Sequence, residues 1–190
     1  ILFVQDLATW QEQRVTSFAD YAVRRDYSWT YNNQIVFSQD MSSFRQFRIC
    51  ALDVATRSVR TLLSQENVAM QLIMTKNKQQ PDVITIAMNK RDSANFDTYR
   101  LNIRTSELRP YVVNPGNVSE WFPDADGKIH LAKVSDGVDE TILYRPSDEA
   151  PFKPIIKNNF KNSVEPIMFT THKDLFYAVS NVNRDKSALV

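Results

Sequence analysis

The chain has 190 residues, of which 43% are hydrophobic and 11% aromatic, so it is long enough to bury one substantial core. Its 23 basic side chains nearly balance its 22 acidic ones, so no strong field favours nucleic acid or an anionic membrane as a partner. No apolar run approaches the roughly 18 residues that a membrane-spanning helix needs. We therefore expect a globular protein that binds neither nucleic acid nor membrane.

The first residue is Ile rather than Met, and no secretory signal pattern follows it. We interpret this start as a cut inside a longer protein or as a processed end, and the cellular compartment stays open.

A recurring turn is visible from the start of the chain. An apolar run at 1–4 leads into Asp6-Leu7-Ala8-Thr9, and a second run at 49–52 leads into Asp53-Val54-Ala55-Thr56, with Asp53 47 residues after Asp6. A weaker copy places Asn102 49 residues after Asp53, and the weakest copy spans 141–148. A period in the high forties that is built from short strands is typical of β-propeller blades.

A second set of signals gives the same period. Short runs rich in β-branched and aromatic residues follow polar turns and are marked by Ile35, Ile84, Ile129 and Leu175, at spacings of 49, 45 and 46 residues. We predict an all-β fold of the β-propeller class, with about four blades of four antiparallel strands. The predicted boundaries are a partial blade at 1–16, blades at 18–63, 67–113 and 117–157, and a partial blade at 164–190.

The chain is predicted to begin and end on the third strand of a blade, which leaves two arrangements open. It contributes about four blades to a ring of six to eight, or its first two strands complete the last blade and close a four-bladed ring. Closure removes exposed sheet edges in either case. We favour the larger ring because four-bladed propellers are uncommon.

Cys50 is the only cysteine, which excludes an intrachain disulfide and a multi-cysteine metal site. We predict that its thiol is buried on a strand. A nucleophilic cysteine would need a nearby base, and both histidines, His130 and His172, are distant in sequence.

No catalytic motif is recognisable in the sequence. None of the three glycines brackets a serine in a G-x-S-x-G elbow, and P-loop, G-x-G-x-x-G and H-E-x-x-H patterns are absent. The segment Asp124-Ala125-Asp126-Gly127 lacks the further carboxylates of a calcium loop, so we predict a tight hairpin turn. We assign no catalytic residue, metal ligand or cofactor.

Aromatic and basic residues cluster near two predicted inner strands, around 29–48 and at 121–122. They suggest a ligand-contacting face, because inner strands and loops of propellers often line a central channel. Packing between blades and solvated turns are the alternative that we favour. The candidate substrate-binding residues are Asp40, Arg45, Trp121 and Arg184.

Three segments carry a resemblance to a known family. Residues 122–129 resemble the Ser-Pro-Asp-Gly-Lys turn in propellers of prolyl oligopeptidase-like serine peptidases and TolB-like proteins. The Asp-x-x-Thr turns are similar to the Asp-x-x-Thr-Gly turn of the same repeats, with Trp10 and Arg57 in place of Gly. Residues 178–190 are similar to a segment of acylaminoacyl-peptidase and dipeptidyl-peptidase-like members, where Ser-Asn and Arg-Asp precede an Ala-Leu strand.

The resemblance implies a non-catalytic propeller that gates or docks peptide substrates for an α/β-hydrolase domain of the same parent chain. The Ser, Asp and His triad of that family belongs to the hydrolase domain, and none of its motif is present here, so the chain itself is not assigned an enzymatic activity. The alternative is a TolB-like or scaffold propeller that binds a protein partner.

Overall fold

The computed structural model describes residues 2–16, 23–41, 46–159, 161–170, 172 and 174–190. The elements within these ranges are β-strands. In chain order they are β1 (Phe3–Gln5), β2 (Glu12–Arg14), β3 (Val23–Trp29), β4 (Gln34–Met41), β5 (Gln46–Asp53), β6 (Val59–Glu66), β7 (Met70–Met74), β8 (Val83–Asp92), β9 (Asn95–Asn102), β10 (Leu108–Val112), β11 (Val118–Pro123), β12 (Ile129–Ser135), β13 (Glu140–Tyr144), β14 (Lys153–Asn158), β15 (Val164–Phe169), β16 (Phe176–Ser180) and β17 (Ala188–Leu189).

The strands form antiparallel sheets in which sequence neighbours pair. Strands β3 to β6, β7 to β10 and β11 to β14 form three four-stranded sheets, which we call blades B, C and D. Strands β1 and β2 form a two-stranded sheet, blade A, and β15 to β17 form a three-stranded sheet, blade E. This repeated antiparallel meander is the arrangement of propeller blades. The predicted all-β propeller class is confirmed, and the size of the ring stays a prediction.

The chain folds as two compact units. The first comprises residues 1–93 and 97–112, and the second comprises residues 94–96 and 113–190. Blades A and B lie in the first unit, and blades D and E lie in the second. In the part of the chain that the structure describes, no helix is long and apolar enough to cross a membrane.

The core of the first unit is built on both faces of β4. Val36 packs in a cluster with Ile84 and Ile86 of β8, whereas Phe37 packs in a second cluster with Leu2 and Val15 of blade A. Successive side chains of a strand point to opposite faces, so one uninterrupted apolar run supplies two neighbouring cores. This two-sided burial explains why β4 carries a strong sequence signal.

The core of the second unit joins blades D and E. Buried Phe122, Leu131 and Ile142 of blade D form its centre, and Phe169 and Phe176 of blade E pack against them. The two blade E rings meet edge to face, with centroids 6.4 Å apart. Such an arrangement of aromatic rings is favourable beyond the area that it buries.

The recurring turn has one geometry in three copies. A side-chain oxygen of Asp6, Asp53 or Asn102 accepts a hydrogen bond from the backbone N–H of the residue three positions on. The residue four positions on is Trp10, Arg57 or Ser106, with φ of 58°, 58° and 62°. The left-handed region favours glycine, which explains why related repeats carry Gly at this place.

Candidate functional site

The candidate substrate-binding residues fall in both compact units. Asp40 is half-buried near the end of β4, where it pairs with Phe47 of β5. Arg45 lies outside the described residues. Trp121 lies on β11, and Arg184 lies in the exposed connection between β16 and β17. The substrate-binding role of these residues stays a prediction.

Trp121 has the contacts of a packing residue. It is 6% exposed, and its indole Nε1–H donates to the Phe96 carbonyl oxygen at 3.2 Å. Its ring lies against Phe152, with centroids 6.1 Å apart. A buried tryptophan normally needs such a partner for its N–H group, so packing alone accounts for this geometry.

Arg184 belongs to the segment with the most specific family resemblance. The first part of that segment is structural: Asn181 accepts from the Ser163 N–H and donates to the Lys161 carbonyl, both at 2.7 Å. These bonds fasten the β16–β17 connection to the turn that precedes β15. The side chain of Arg184 is exposed, and its guanidinium group has the geometry to bind a carboxylate with two hydrogen bonds.

Blade D contains a buried polar cluster that the sequence does not predict. The Nδ1 atom of His130 lies 2.8 Å from the Arg145 carbonyl oxygen, and its Nε2 atom lies 3.2 Å from Oδ2 of Asp124. The Arg145 guanidinium donates to the Ile129 carbonyl oxygen and to Asp148. Both ring nitrogens of His130 therefore already have partners, and the cluster connects two turns at one end of the blade.

Asp124 also organises its own turn. Its Oδ1 accepts from the backbone N–H groups of Asp126 and Lys128, both at 2.9 Å, and Gly127 has a φ of 75°. The predicted tight hairpin turn is confirmed. Among the described residues, no three His, Cys, Asp or Glu side chains are grouped so as to hold a metal ion.

Lys133 of blade D lies near three carboxylates, one of which, Glu165, belongs to blade E. Its ammonium nitrogen lies 3.0 Å from Glu165 of β15, 3.2 Å from Glu120 of β11 and 3.8 Å from Glu140 of β13. Burial lowers the pKa of Lys133, but the hydrogen bonds and charges of Glu165 and Glu120 outweigh it, so the pKa is raised overall. The sequence could not reveal this cluster, since Glu165 is 32 residues from Lys133.

Cys50 is fully buried on β5, as predicted. Its sulfur lies 3.8 Å from Oε1 of Gln39 and 3.9 Å from the Thr61 hydroxyl. Burial is the main influence on the thiol and raises its pKa above the usual value. Since the thiolate is the nucleophilic form, this environment disfavours a catalytic cysteine.

A surface groove runs beside β1 in the first unit. Its volume is about 320 Å³. We call it the β1 groove, and its lining comprises Leu2, Phe3, Val4, Gln5, Tyr27, Ser28, Trp29, Ile35 and Lys76. Phe3 and Tyr27, which both line the groove, are more than half exposed.

Comparison with known proteins finds two peptidases among the curated relatives. Dipeptidyl aminopeptidase BIII of Pseudoxanthomonas mexicana is 22% identical over 141 residues, and dipeptidyl peptidase family member 6 of Caenorhabditis elegans is 24% identical over 182 residues. These matches cover 70% and 87% of this chain but only 20% and 24% of the two relatives. No family model matches the chain.

Solved structures share the fold at lower sequence identity. A prolyl endopeptidase superposes with a TM-score of 0.69 and 13% identity, over 100% of this chain and 30% of that one. TolB from Acinetobacter baumannii superposes with a TM-score of 0.61 and 14% identity, over 94% of this chain and 45% of TolB. An oligogalacturonate lyase from Vibrio parahaemolyticus superposes with a TM-score of 0.56 and 11% identity, over 100% of this chain and 58% of the lyase.

The chain thus resembles the β-propellers of prolyl oligopeptidase-like peptidases and of TolB, as the sequence segments suggested. It spans about a quarter or less of the length of its curated relatives. The structural matches establish the fold alone, because proteins with different names share it.

Proposed function

We propose that this chain is the non-catalytic propeller part of a serine peptidase of the prolyl oligopeptidase type. In this role it gates or docks peptide substrates for an α/β-hydrolase domain elsewhere in the same protein. The observation that carries the proposal is the pair of sequence matches to proteins named as dipeptidyl peptidases, which cover most of this chain and a minor part of each relative.

The chemistry of the chain supports a binding role. The sequence has no nucleophile elbow, Cys50 is buried with a raised pKa, and both ring nitrogens of His130 are engaged within the fold. A nucleophile needs a free base within hydrogen-bond reach, and Cys50 and His130 do not form such a pair. Under this proposal, catalysis belongs to the hydrolase domain elsewhere in the protein.

Arg184 is the first residue to test for peptide contact. We expect Arg184→Ala to raise the KM of the natural protein for peptides with a free carboxylate by about tenfold, with kcat unchanged, because an exposed guanidinium contributes uniform binding. Lys186→Ala removes an exposed cation two residues away and is the matched control. Equal effects of the two variants, or none, would remove Arg184 from the binding surface.

The second candidate function is a TolB-like or scaffold propeller that binds a protein partner. The superposition on TolB shows the same fold and does not separate the candidates. Inspection of the reading frame of the natural protein separates them. A G-x-S-x-G elbow followed by Asp and then His supports the peptidase, and a reading frame without this set supports the partner-binding propeller.

A further inference from the structure

A second groove lies on blade C, whose four strands are all present. Its volume is about 320 Å³, which is at the lower end of the range for sites that bind small molecules. We call it the β10 groove, and its lining includes Val83, Arg100, Asn102, Glu107, Arg109 and Tyr111. These residues belong to the first compact unit, so the groove is a feature of that unit alone.

Two arginines face each other across β9 and β10. Arg100 lies directly opposite Arg109 in the strand register. Their sequence neighbours Leu101 and Leu108 pack in the hydrophobic core, so the two arginine side chains leave the sheet on its other face. Like charges directly opposite each other destabilise a sheet. A local arrangement that costs stability is expected at a functional site, and two adjacent cations suit an anionic ligand.

Neighbouring side chains hold both guanidinium groups beside the groove. The Cζ atom of Arg100 lies 3.9 Å from the ring centroid of Tyr111, which is the extra residue of a β-bulge in β10. The Nε–H of Arg109 donates to Glu107 at 2.8 Å. Two arginines and one glutamate leave the lining with one net positive charge.

Asn102 adds a neutral donor to the lining. Its Oδ1 accepts from the backbone N–H groups of Arg104 and Thr105, both at 2.9 Å. These two bonds fix the orientation of the amide and leave its Nδ2 donor for a ligand. A carboxylate accepts hydrogen bonds at two oxygens, which matches a guanidinium fork together with an amide N–H.

The internal repeat shows that the same face is built differently in blade B. Shifted back by the 49-residue spacing of the turns, the positions of the two arginines and the tyrosine correspond to Ala51, Arg60 and Leu62. Ala51 lies opposite Arg60, so no like charges meet there, and Leu62 is buried in the hydrophobic core. Arg60 donates to the backbone carbonyl oxygen of Ile103 in the next blade. Packing therefore closes this face in blade B, whereas in blade C the equivalent positions surround a groove.

We propose that the β10 groove binds a carboxylate through Arg100 and Arg109. One net positive charge balances a monoanion, whereas a phosphate dianion would leave an uncompensated negative charge beside Glu107. Val83 and the ring of Tyr111 supply an apolar wall for the group that carries the carboxylate. That this group is a peptide rests on the proposed function, whereas the site itself rests on the arginine pair and the groove.

The test is an NMR titration of the chain of residues 1–190, in which the side-chain Nε–H signals of Arg100 and Arg109 are followed. The probe is acetyl-Gly-Leu with a free C-terminal carboxylate, and its C-terminal amide is the neutral control. We expect both signals to shift with the carboxylate and the amide to bind at least about tenfold more weakly. Acetyl-glutamate α-amide carries its carboxylate on the side chain, and the tighter of the two acids identifies the source of the natural carboxylate.

Protein variants provide a second arm. Arg109→Gln and Arg100→Gln should each lower the affinity for acetyl-Gly-Leu at least about tenfold. Arg104→Gln is the matched control, because Arg104 lies in the same blade outside the groove lining, is 77% exposed and pairs with Asp82. Removal of one of two opposed charges should leave the free energy of unfolding unchanged or higher, so lost binding is not lost folding.

Five results would overturn the site: no saturable binding, equal binding of the amide, equal affinity in Arg109→Gln, clear destabilisation by that change, or tighter binding of inorganic phosphate. None of them bears on whether the natural protein is a serine peptidase, because the assay contains no hydrolase. If the natural protein has no serine nucleophile but acetyl-Gly-Leu still binds, the proposed function fails and the carboxylate site stands.

Discussion

Trp10 holds a backbone conformation that its side chain disfavours. It has a φ of 58° and is 72% exposed, so its ring gains little from packing. The left-handed conformation costs an L-residue other than Gly about 1–2 kcal/mol. Glycine avoids this cost, but it loses more backbone entropy on folding, which offsets part of the gain. We expect Trp10→Gly to increase the free energy of unfolding by about 0.5–1 kcal/mol in urea titrations.

The control lies in the same turn. Leu7 is also exposed but is not among the residues with positive φ, so Leu7→Gly adds flexibility without relieving strain. It should lower the free energy of unfolding. If both glycine variants shift stability in the same direction, the backbone at position 10 does not carry the strain inferred here.

Asp53 makes the stability of its turn depend on pH. The Thr56 backbone N–H is the main influence and lowers the pKa of Asp53 below the usual 3.8. The stabilisation is thus complete above about pH 4, and it is lost as the pH falls through the lower pKa of the folded state. Asp53→Asn should reduce the loss of unfolding free energy as the pH falls from about 6 to about 2. Asn accepts the same hydrogen bond but does not titrate.

The chain offers the reverse substitution as a check. Asn102 occupies the equivalent place in blade C and accepts from the N–H groups of Arg104 and Thr105. Asn102→Asp should therefore add acid sensitivity where Asp53→Asn removes it. Unchanged acid limbs in both variants would rule out a contribution from these turns.

At the level of elements, Lys133 of blade D forms an ion pair with Glu165 of blade E. It is 14% exposed and lies within 4 Å of three carboxylates. Lys133→Met would leave those carboxylates close together without their shared cation. We expect this change to lower the free energy of unfolding by about 1–2 kcal/mol, a value reduced by the partial exposure of the glutamates.

Lys157→Met is the matched control for that change. Lys157 pairs with Asp139 at 3.0 Å, but its side chain is largely exposed, and exposed ion pairs contribute little. The free energy of unfolding of the Lys157→Met variant, measured by thermal or urea unfolding, should equal that of the unmodified chain. Similar losses in the two variants would show that Lys133 acts as an ordinary surface charge.

The second strand of each blade was the element most accessible to sequence reasoning. The observed β4, β8, β12 and β16 lie on the four predicted runs. Burial on both faces accounts for the apolar runs of β4, β8 and β12, whereas Tyr177 and Val179 of β16 are partly exposed. The weak fourth copy of the Asp turn differs in structure, because Arg145 is buried there and donates to Asp148. A buried arginine and an exposed one look alike in a single sequence.

Side-chain clusters were much less accessible. The sequence places His130 within an apolar run, but its two partners depend on the closing of separate turns. Trp121 is an aromatic candidate by its position in the sequence, but its hydrogen bond to the Phe96 carbonyl depends on the fold and is not visible in the composition. The substrate-binding roles of Asp40, Arg45, Trp121 and Arg184 remain predictions for this reason.

At the scale of the whole molecule, fold and function rest on different grounds. The propeller class follows from the recurring turn and the apolar runs, which share one period in the sequence, and from the observed antiparallel meanders. The peptidase proposal rests on sequence similarity to two dipeptidyl peptidases, since propellers carry many unrelated functions. The two conclusions are therefore tested separately.

Labelling of the natural protein with a fluorophosphonate probe tests the central claim most directly, because the probe reacts with an activated serine. The chain of residues 1–190 is treated in parallel, and both samples are then assayed on short peptides. We predict that the natural protein is labelled and cleaves peptides, whereas the chain alone does neither. A natural protein that is not labelled, or serine-dependent cleavage by the isolated chain, would contradict the account.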